Sequence, residues 1–266
     1  MSTDAVFARR YGPWALVAGA SEGLGAAWAE ALATRGLNLV LLARRAELLE
    51  ATARGLRERH QVEVVTAAVD LASPTLAEQV APLLASREVG LLVHNAAFPA
   101  QGPFLEQPLD AQLRALDVNC RAPLVLAHGL GRAMAARGRG GVVLMSSLTA
   151  FNGSPFISTY GATKAFNLVL AEGLWFELRG RGVDVLACCA GATRTPHLLR
   201  TSPQGEPGMI EPAQVVKEAL AALGRGGSMV PGAFNRLASF AMRRLLPRTL
   251  AISILGKRTS ALRLPP

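Results

Sequence analysis

PWALVAGASEGLG, residues 13–25, passes from a short apolar run into a turn carrying Gly19, Gly23 and Gly25, and then into AAWAEALATRG, a helix-forming stretch that stops at Gly36. A run that is apolar on both faces must be buried on both, which places it inside a parallel sheet rather than at a solvated surface. Glycines permit a tight turn and a close approach of backbone to a ligand. The helix that follows offers unpaired N–H groups and the positive end of its dipole, so a strand, glycine turn and helix in this order suit a pyrophosphate.

Working outward, the same alternation recurs. Apolar runs at 37–43, 62–70, 89–96, 140–147, 183–190 and 227–232 read as strands, and the segments 46–60, 74–86, 110–136, 158–179 and 212–223 read as helices. Strands separated by helices imply right-handed crossovers and an open, doubly wound α/β sheet of seven parallel strands with helices on both faces. No repeat or linker interrupts the pattern. The expectation is one Rossmann-like domain over residues 1–233 and a basic, amphipathic helical appendage over 234–266.

The chain of 266 residues is half hydrophobic, enough for a full core. Its net charge of +9 comes mostly from arginine and suits an acidic partner, although it equally suits surfaces solvated by arginine. Cys120, Cys188 and Cys189 cannot all pair within one chain and read as reduced core thiols, hence a cytoplasmic protein. The N-terminus has no apolar signal core, and no apolar run is long enough to span a bilayer.

The end of the second strand selects among dinucleotides. An acidic residue there would bind a ribose 2′-hydroxyl, but this chain has Ala43, Arg44 and Arg45. Cations at a helix N-terminus oppose the macrodipole, so they point to an anion, and the 2′-phosphate of NADP(H) fits; Arg44, nearest the strand end, is the candidate. Asp70, ending the third strand, could bond the adenine or cap the next helix. In YGATK (160–164), Tyr160 and Lys164 share a helix face. A free phenol has a pKa of about 10. A nearby ammonium is expected to lower it, letting Tyr160 exchange a proton with a carbonyl or alcohol oxygen that Ser147 holds.

These motifs, in this order, resemble the short-chain dehydrogenase/reductase superfamily in its single-domain form, from about Trp14 to Val230. AGASEGLG (18–25) is similar to TGxxxGxG, HNAA (94–97) to NNAG, and AGATRT (190–195) to PGxxxT, while Asn119, Ser147, Tyr160 and Lys164 match the catalytic asparagine, serine and YxxxK. The resemblance implies catalysis by Asn119, Ser147, Tyr160 and Lys164, with Asn119 ordering a relay water. It implies cofactor contacts from Gly19, Ser21, Gly23, Leu24, Gly25, Arg44, Asp70, Leu71, Asn95, Ala96, Tyr160, Lys164, Gly191, Thr193 and Thr195. No metal is implied. Ala18, His94, Ala97 and Ala190 depart from the family pattern without removing a reacting group, and His94 reads as a satisfied strand-end histidine.

The expected activity is NADP(H)-dependent hydride transfer to or from an apolar carbonyl or alcohol, such as a fatty-acyl, steroid-like or aromatic one. A substrate loop over about 191–211 is expected to cover it with an apolar inner face, and FPAQGPF (98–104) to form the opposite wall. The alternative is an NADPH-binding sensor or scaffold with little turnover. Nucleic-acid binding, motivated only by charge, has no recognition motif behind it. Helices 110–136 and 158–179 imply, by resemblance, a homodimer or homotetramer. In the tail, Leu237, Phe240, Ala241 and Leu245 share a face and six basic residues accompany them. Such a segment (234–258) can pack on its own domain, on a partner subunit or on an anionic membrane surface.

Overall fold

A computed structural model describes residues 3–202 and 205–261. Within them the apolar runs form seven parallel strands: β1 (Trp14–Ala18), β2 (Asn38–Ala43), β3 (Val64–Ala68), β4 (Val89–His94), β5 (Gly140–Ser147), β6 (Val183–Ala190) and β7 (Ser228–Met229). Their spatial order is β3-β2-β1-β4-β5-β6-β7. The chain starts at the centre, winds to one edge and then crosses to the other. The crossover leaves a crevice at the carboxyl ends of β1 and β4, where a doubly wound sheet binds ligands. β1 is held on both sides in register, Leu16 opposite Val40 and opposite Leu92.

Alternation along β1 divides the core. Ala15 and Val17 face one layer, packed by Trp28 and Leu32 of α2 (Gly23–Ala33), Leu49 and Leu56 of α3 (Ala46–His60) and Val215 of the helix Pro212–Ala222. Trp14, Leu16 and Ala18 face the other, packed by Leu76 and Val80 of α4 (Leu76–Leu84) and by Leu126 and Leu168 from the long helices described below. Every residue of β1 is buried between these two layers.

The fourth crossover, from β4 to β5, is less regular than its sequence pattern. The helix expected over 110–136 is α5 (Leu109–Leu116), one π turn (Asp117–Arg121) and α6 (Ala122–Arg137). The π turn carries Asn119, whose amide donates to Phe98 O and to Thr163 Oγ1, both at 3.0 Å, and accepts from Phe98 N at 2.7 Å. Satisfying a buried amide in this way holds the extra residue of the π turn in place. α7 (Ser158–Arg179) then runs unbroken beside it. β7 keeps only two residues of the expected 227–232, because Pro231 has no N–H to give the ladder and Gly232 adopts φ +82°.

Two helices, α1 and α8, carry no periodic signal strong enough to anticipate, whereas those expected over 212–223 and in the tail form. α1 (Thr3–Tyr11) caps the bottom of the sheet, where Tyr11 Oη donates to Asp184 Oδ2 at 2.7 Å and Arg10 Nε approaches the same oxygen at 2.6 Å. α8 (Pro196–Thr201) lies in the segment after β6, and α9 (Pro212–Ala222) packs on the sheet. In the tail, α10 (Ala233–Arg244) precedes α11 (Arg248–Ala261). α11 turns back onto the domain: Thr259 Oγ1 donates to Pro155 O at 2.9 Å and Arg258 pairs with Glu206 at 2.7 Å. Residues 203–204 of the expected substrate loop and 262–266 of the expected tail lie outside the described residues. Among the described residues no helix is long and apolar enough to cross a membrane.

Tyr11→Phe tests the α1 anchor. It removes one of two donors to a carboxylate that is only 12 % exposed, and unfolding in urea is expected to show a loss of about 2 kcal/mol, the scale of a hydrogen bond to a charged group. An unchanged midpoint would assign the anchoring to Arg10 and packing alone.

Candidate active site

The turn after β1 is built by exclusion of side chains. Gly19 has φ +85°, and a Cβ there would stand 2.7 Å from the backbone N and Cα of Ala96. A Cβ at Gly25 would overlap the Gly19 carbonyl oxygen. Asn95 Nδ2 donates to that same oxygen at 2.9 Å, and Ala96 N donates to Ala18 O at 2.8 Å. The end of β4 is thereby clamped under the turn, and the first turn of α2 opens above it with its N–H groups facing the crevice.

The crevice is a cleft of about 750 Å³. One end is bordered by Arg44, Arg45, Asp70 and Leu71, the floor by Gly19, Ser21, Gly23, Leu24, Asn95 and Ala96, and the other end by Tyr160 and Thr195. A glycine-lined floor beneath a helix N-terminus, with cations at one end and a phenol at the other, fits an extended dinucleotide with its nicotinamide beside Tyr160. Gly25 serves packing rather than lining. Gly191 and Thr193 stand behind the cleft: Gly191 is pressed against Asn235, and Thr193, 7 % exposed, bridges to Ile210 and closes the base of the loop 191–211.

The two arginines differ. Arg45 Nη2 is engaged by Glu22 at 2.7 Å and lies 3.3 Å from Ser21 Oγ. Among the described residues Arg44 makes no ion pair or hydrogen bond and stays exposed at the cleft. Asp70 is held in a pair with Arg114 at 2.8 Å and accepts from Ala72 N, which favours capping of the turn; its carboxyl sits below the usual range because these donors outweigh its burial.

At the other end, Ser147 ends β5 and its Oγ accepts from Thr149 N at 3.2 Å, starting a short 3-10 turn. Asn119 bonds Thr163, and Thr163 Oγ1 donates to Tyr160 O at 2.8 Å, so the π turn positions the start of α7. Lys164 is 2 % exposed and donates to Met145 O at 2.9 Å, while Ser146 Oγ donates to Lys164 O at 2.7 Å. The Lys164 Nζ lies 5.5 Å from the Tyr160 ring centroid. Burial pushes the Lys164 ammonium down to about 8. Burial also raises the Tyr160 phenol, against which a hydrogen bond with Ser147 pulls down. The expected lowering of the phenol by its neighbouring lysine is therefore reversed in sign. Desolvation exceeds the Ser147 hydrogen bond, while the Lys164 ammonium is bonded to Met145 O.

Two other expectations change. His94 is buried at the end of β4 with Nε2 unpartnered among the described residues, and burial beside Lys164 drives it down to about 3; it is a neutral, unsatisfied histidine. Cys188 and Cys189 are buried free thiols, but Cys120, on the π turn, is only partly buried.

Several contributors had no clear signal in the sequence. Phe156, at φ +64°, and Ile157 form the wall facing Phe98, Pro99 and Gln101 of the loop 98–104. His197 and Leu198 of α8, which lie within the substrate loop expected over about 191–211, also line the cleft. Thr259 reaches the cleft from α11, far along the chain, and only its position in space reveals it. Glu22, the one acid in the glycine turn, could have been singled out, since a carboxylate there opposes any phosphate.

Comparison with known proteins accounts for this geometry. The family model for short chain dehydrogenase matches residues 13–205. The 7beta-hydroxysteroid dehydrogenase of Collinsella aerofaciens is 35 % identical over 233 residues, 85 % of this chain and 89 % of that protein. A solved structure bearing on 7beta-hydroxysteroid dehydrogenase stereoselectivity superposes with a TM-score of 0.89 at 32 % identity, covering 94 % of this chain and 98 % of the other. The short-chain dehydrogenase of Sphingobium yanoikuyae, in complex with NADPH, superposes with a TM-score of 0.74 at 31 % identity over 96 % of this chain and 98 % of that one. The seven-stranded parallel sheet, the glycine turn and the match across most of the chain lead to one conclusion: this protein belongs to the short-chain dehydrogenase family, oxidoreductases that use a nicotinamide cofactor to interconvert alcohol and carbonyl groups.

Proposed function

We propose that the protein is an NADP(H)-dependent dehydrogenase of a steroid-like secondary alcohol or ketone, with Tyr160 as its acid/base. The observation that carries this reading is the placement of the Tyr160 phenol at the inner end of the cleft, beside Ser147, with a free Arg44 at the outer end. The likeness to 7beta-hydroxysteroid dehydrogenases supports the substrate class. So does the lining of Phe98, Phe156, Ile157 and Leu198, which offers a largely apolar surface to a rigid, apolar body.

The cofactor supplies or accepts the hydride. Ser147 holds the substrate oxygen, and Tyr160 donates its proton to that oxygen in reduction or takes it in oxidation. Lys164, fixed by Met145 O, holds the ribose and supplies positive charge behind the phenol. Asn119 has both amide N–H groups committed to protein, so its share in ordering a relay water falls to its backbone. A sensor with little turnover is the alternative, but a pure binder has no need of the Ser147, Tyr160 and Lys164 arrangement.

Tyr160→Phe is expected to retain NADPH binding and lose roughly 10²–10⁴-fold in turnover of a steroid ketone; wild-type turnover would reject the mechanism. The raised phenol pKa gives a sign to the pH profile. Reduction needs the phenol and declines as pH rises through its pKa, whereas oxidation needs the phenolate and grows. Identical profiles in both directions would contradict this.

Arg44 is assigned to the 2′-phosphate of NADP(H). Thermal unfolding should show a larger shift with NADPH than with NADH, narrowed in Arg44→Ala. An NADH preference would remove this assignment and leave the enzyme class intact.

For partners, a homodimer or homotetramer is favoured by the exposed Leu109, Leu113 and Leu116 of α5 and Val169 and Phe176 of α7, which line up on adjacent helices. On α10, Phe234, Leu237 and Phe240 recur at intervals of three residues and stand more than half exposed, with Arg243 and Arg244 beside them. That face supports peripheral contact with an anionic membrane. Leu237→Asp combined with Phe240→Asp is expected to abolish co-sedimentation with phosphatidylserine-containing vesicles. Absent binding by the unaltered protein would dismiss the contact.

A further inference from the structure

Glu22 occupies an unusual place. It is the residue preceding α2, in the middle of the glycine turn, where a pyrophosphate would meet the helix N-terminus. A carboxylate at this position favours the helix dipole but repels a phosphate unless cations offset it. Two cations do so, and they come from opposite sides. Arg45 Nη2, at the N-terminus of α3, lies 2.7 Å from Glu22 Oε1. Arg200 Nη2, on α8, lies 3.7 Å from the same oxygen. The first is a hydrogen-bonded pair and the second is too long for a hydrogen bond. Glu22 is thus shared: Arg45 holds the hydrogen bond, and Arg200 stands by at ion-pair distance as the partner that remains when Arg45 is drawn away.

The two arginines belong to different parts of the reaction. Arg45 borders the end of the cleft assigned to the 2′-phosphate, and α8 covers the end assigned to nicotinamide and substrate through His197 and Leu198. The elements already touch: a Cβ at Gly23 would meet Thr195 Cβ at 3.1 Å, and Thr195 Oγ1 caps α8 by accepting from Leu198 N at 3.3 Å. α8 is thus hinged at Thr195 against the glycine turn, with Arg200 on its far end reaching back to Glu22.

We propose that Glu22 is a specificity-determining residue that couples recognition of the cofactor's 2′-phosphate to the seating of α8 over the substrate. A phosphate monoester at Arg44 competes with Glu22 for Arg45, because the dianion is the stronger acceptor. As Arg45 turns to it, Glu22 is released to Arg200, and α8 is drawn onto the turn. By linkage, whatever favours the Glu22–Arg200 pair favours NADPH, and whatever removes it favours retention of Arg45 by Glu22. The coupling acts on the phosphorylated cofactor and not on NADH. This rests on the assignment of NADP(H).

Dissociation constants of NADPH and NADH, measured by calorimetry without substrate, test it. Arg200→Ala leaves Glu22 to Arg45 alone and is expected to weaken NADPH roughly two- to fivefold, the scale of one exposed ion pair, with NADH unchanged. Glu22→Gln is expected to tighten NADPH by a similar factor, and adding Arg200→Ala to it should then have no effect. Equal weakening of both cofactors by Arg200→Ala, no weakening of either, or a loss that persists in the Glu22→Gln background would overturn the coupling. Arg44→Ala separates the two ideas. If it weakens NADPH but not NADH while the Arg200 and Glu22 variants behave as wild type, the cofactor assignment stands and the coupling falls. If wild type and Arg44→Ala bind both cofactors alike, the assignment falls and takes the coupling with it.

Discussion

The cleft depends on one steric constraint: the backbone of the β1–α2 turn lies directly on the end of β4. Gly25 can approach the Gly19 carbonyl only because it lacks a Cβ, and Gly19 can lie over Ala96 for the same reason. Asn95 then bonds the Gly19 carbonyl and locks the approach. Any side chain at Gly19 or Gly25 would lift α2 away from the crevice and take its N-terminal N–H groups out of reach of a ligand. The parallel sheet, the crevice at the reversal of strand order and the helix aimed into it all converge on this contact.

The reacting end is organised from further back. Tyr160 and Lys164 share a face of α7, but three layers fix what they can do. Asn119 in the π turn holds Thr163, Thr163 holds the Tyr160 carbonyl, and Met145 and Ser146 of β5 hold the lysine at its ammonium and its carbonyl. The lysine is therefore a fixed charge, desolvated enough that its own pKa falls. The phenol is kept in its acid form by burial, with the Ser147 hydroxyl as the opposing influence.

Charge at the outer end follows a similar logic of competition. Arginine is abundant in this chain, yet the arginines at the cleft are not equivalent. Arg45 is occupied by Glu22, Arg114 by Asp70, and Arg44 is left exposed. The glycine turn thus carries its own counter-charge, which reaches across to α8. A carboxylate that would hinder phosphate binding in isolation becomes a link between two ends of the cleft.

Sequence alone pointed to the strands, because runs such as LVLLA (39–43) and VLACCA (185–190) are apolar on both faces and can only be buried. It brought Ser147, Tyr160 and Lys164 together as candidates, because strand-end and i, i+4 positions follow from local geometry. It also raised Arg44 as a candidate, since cations at a helix start oppose the macrodipole. The tertiary structure decided what depends on distant contacts. The single turn of π-helix exists because Asn119 finds Phe98 and Thr163. The direction of the Tyr160 shift depends on how far burial outweighs the Ser147 hydrogen bond, which spacing cannot express. β7 shortened to two residues around Pro231, α1 gained its place through Asp184, and Thr259 reached the cleft from a helix nearly a hundred residues beyond Tyr160. Local pattern encodes what a segment must bury; only the folded chain settles which charges and hydroxyls then meet across it.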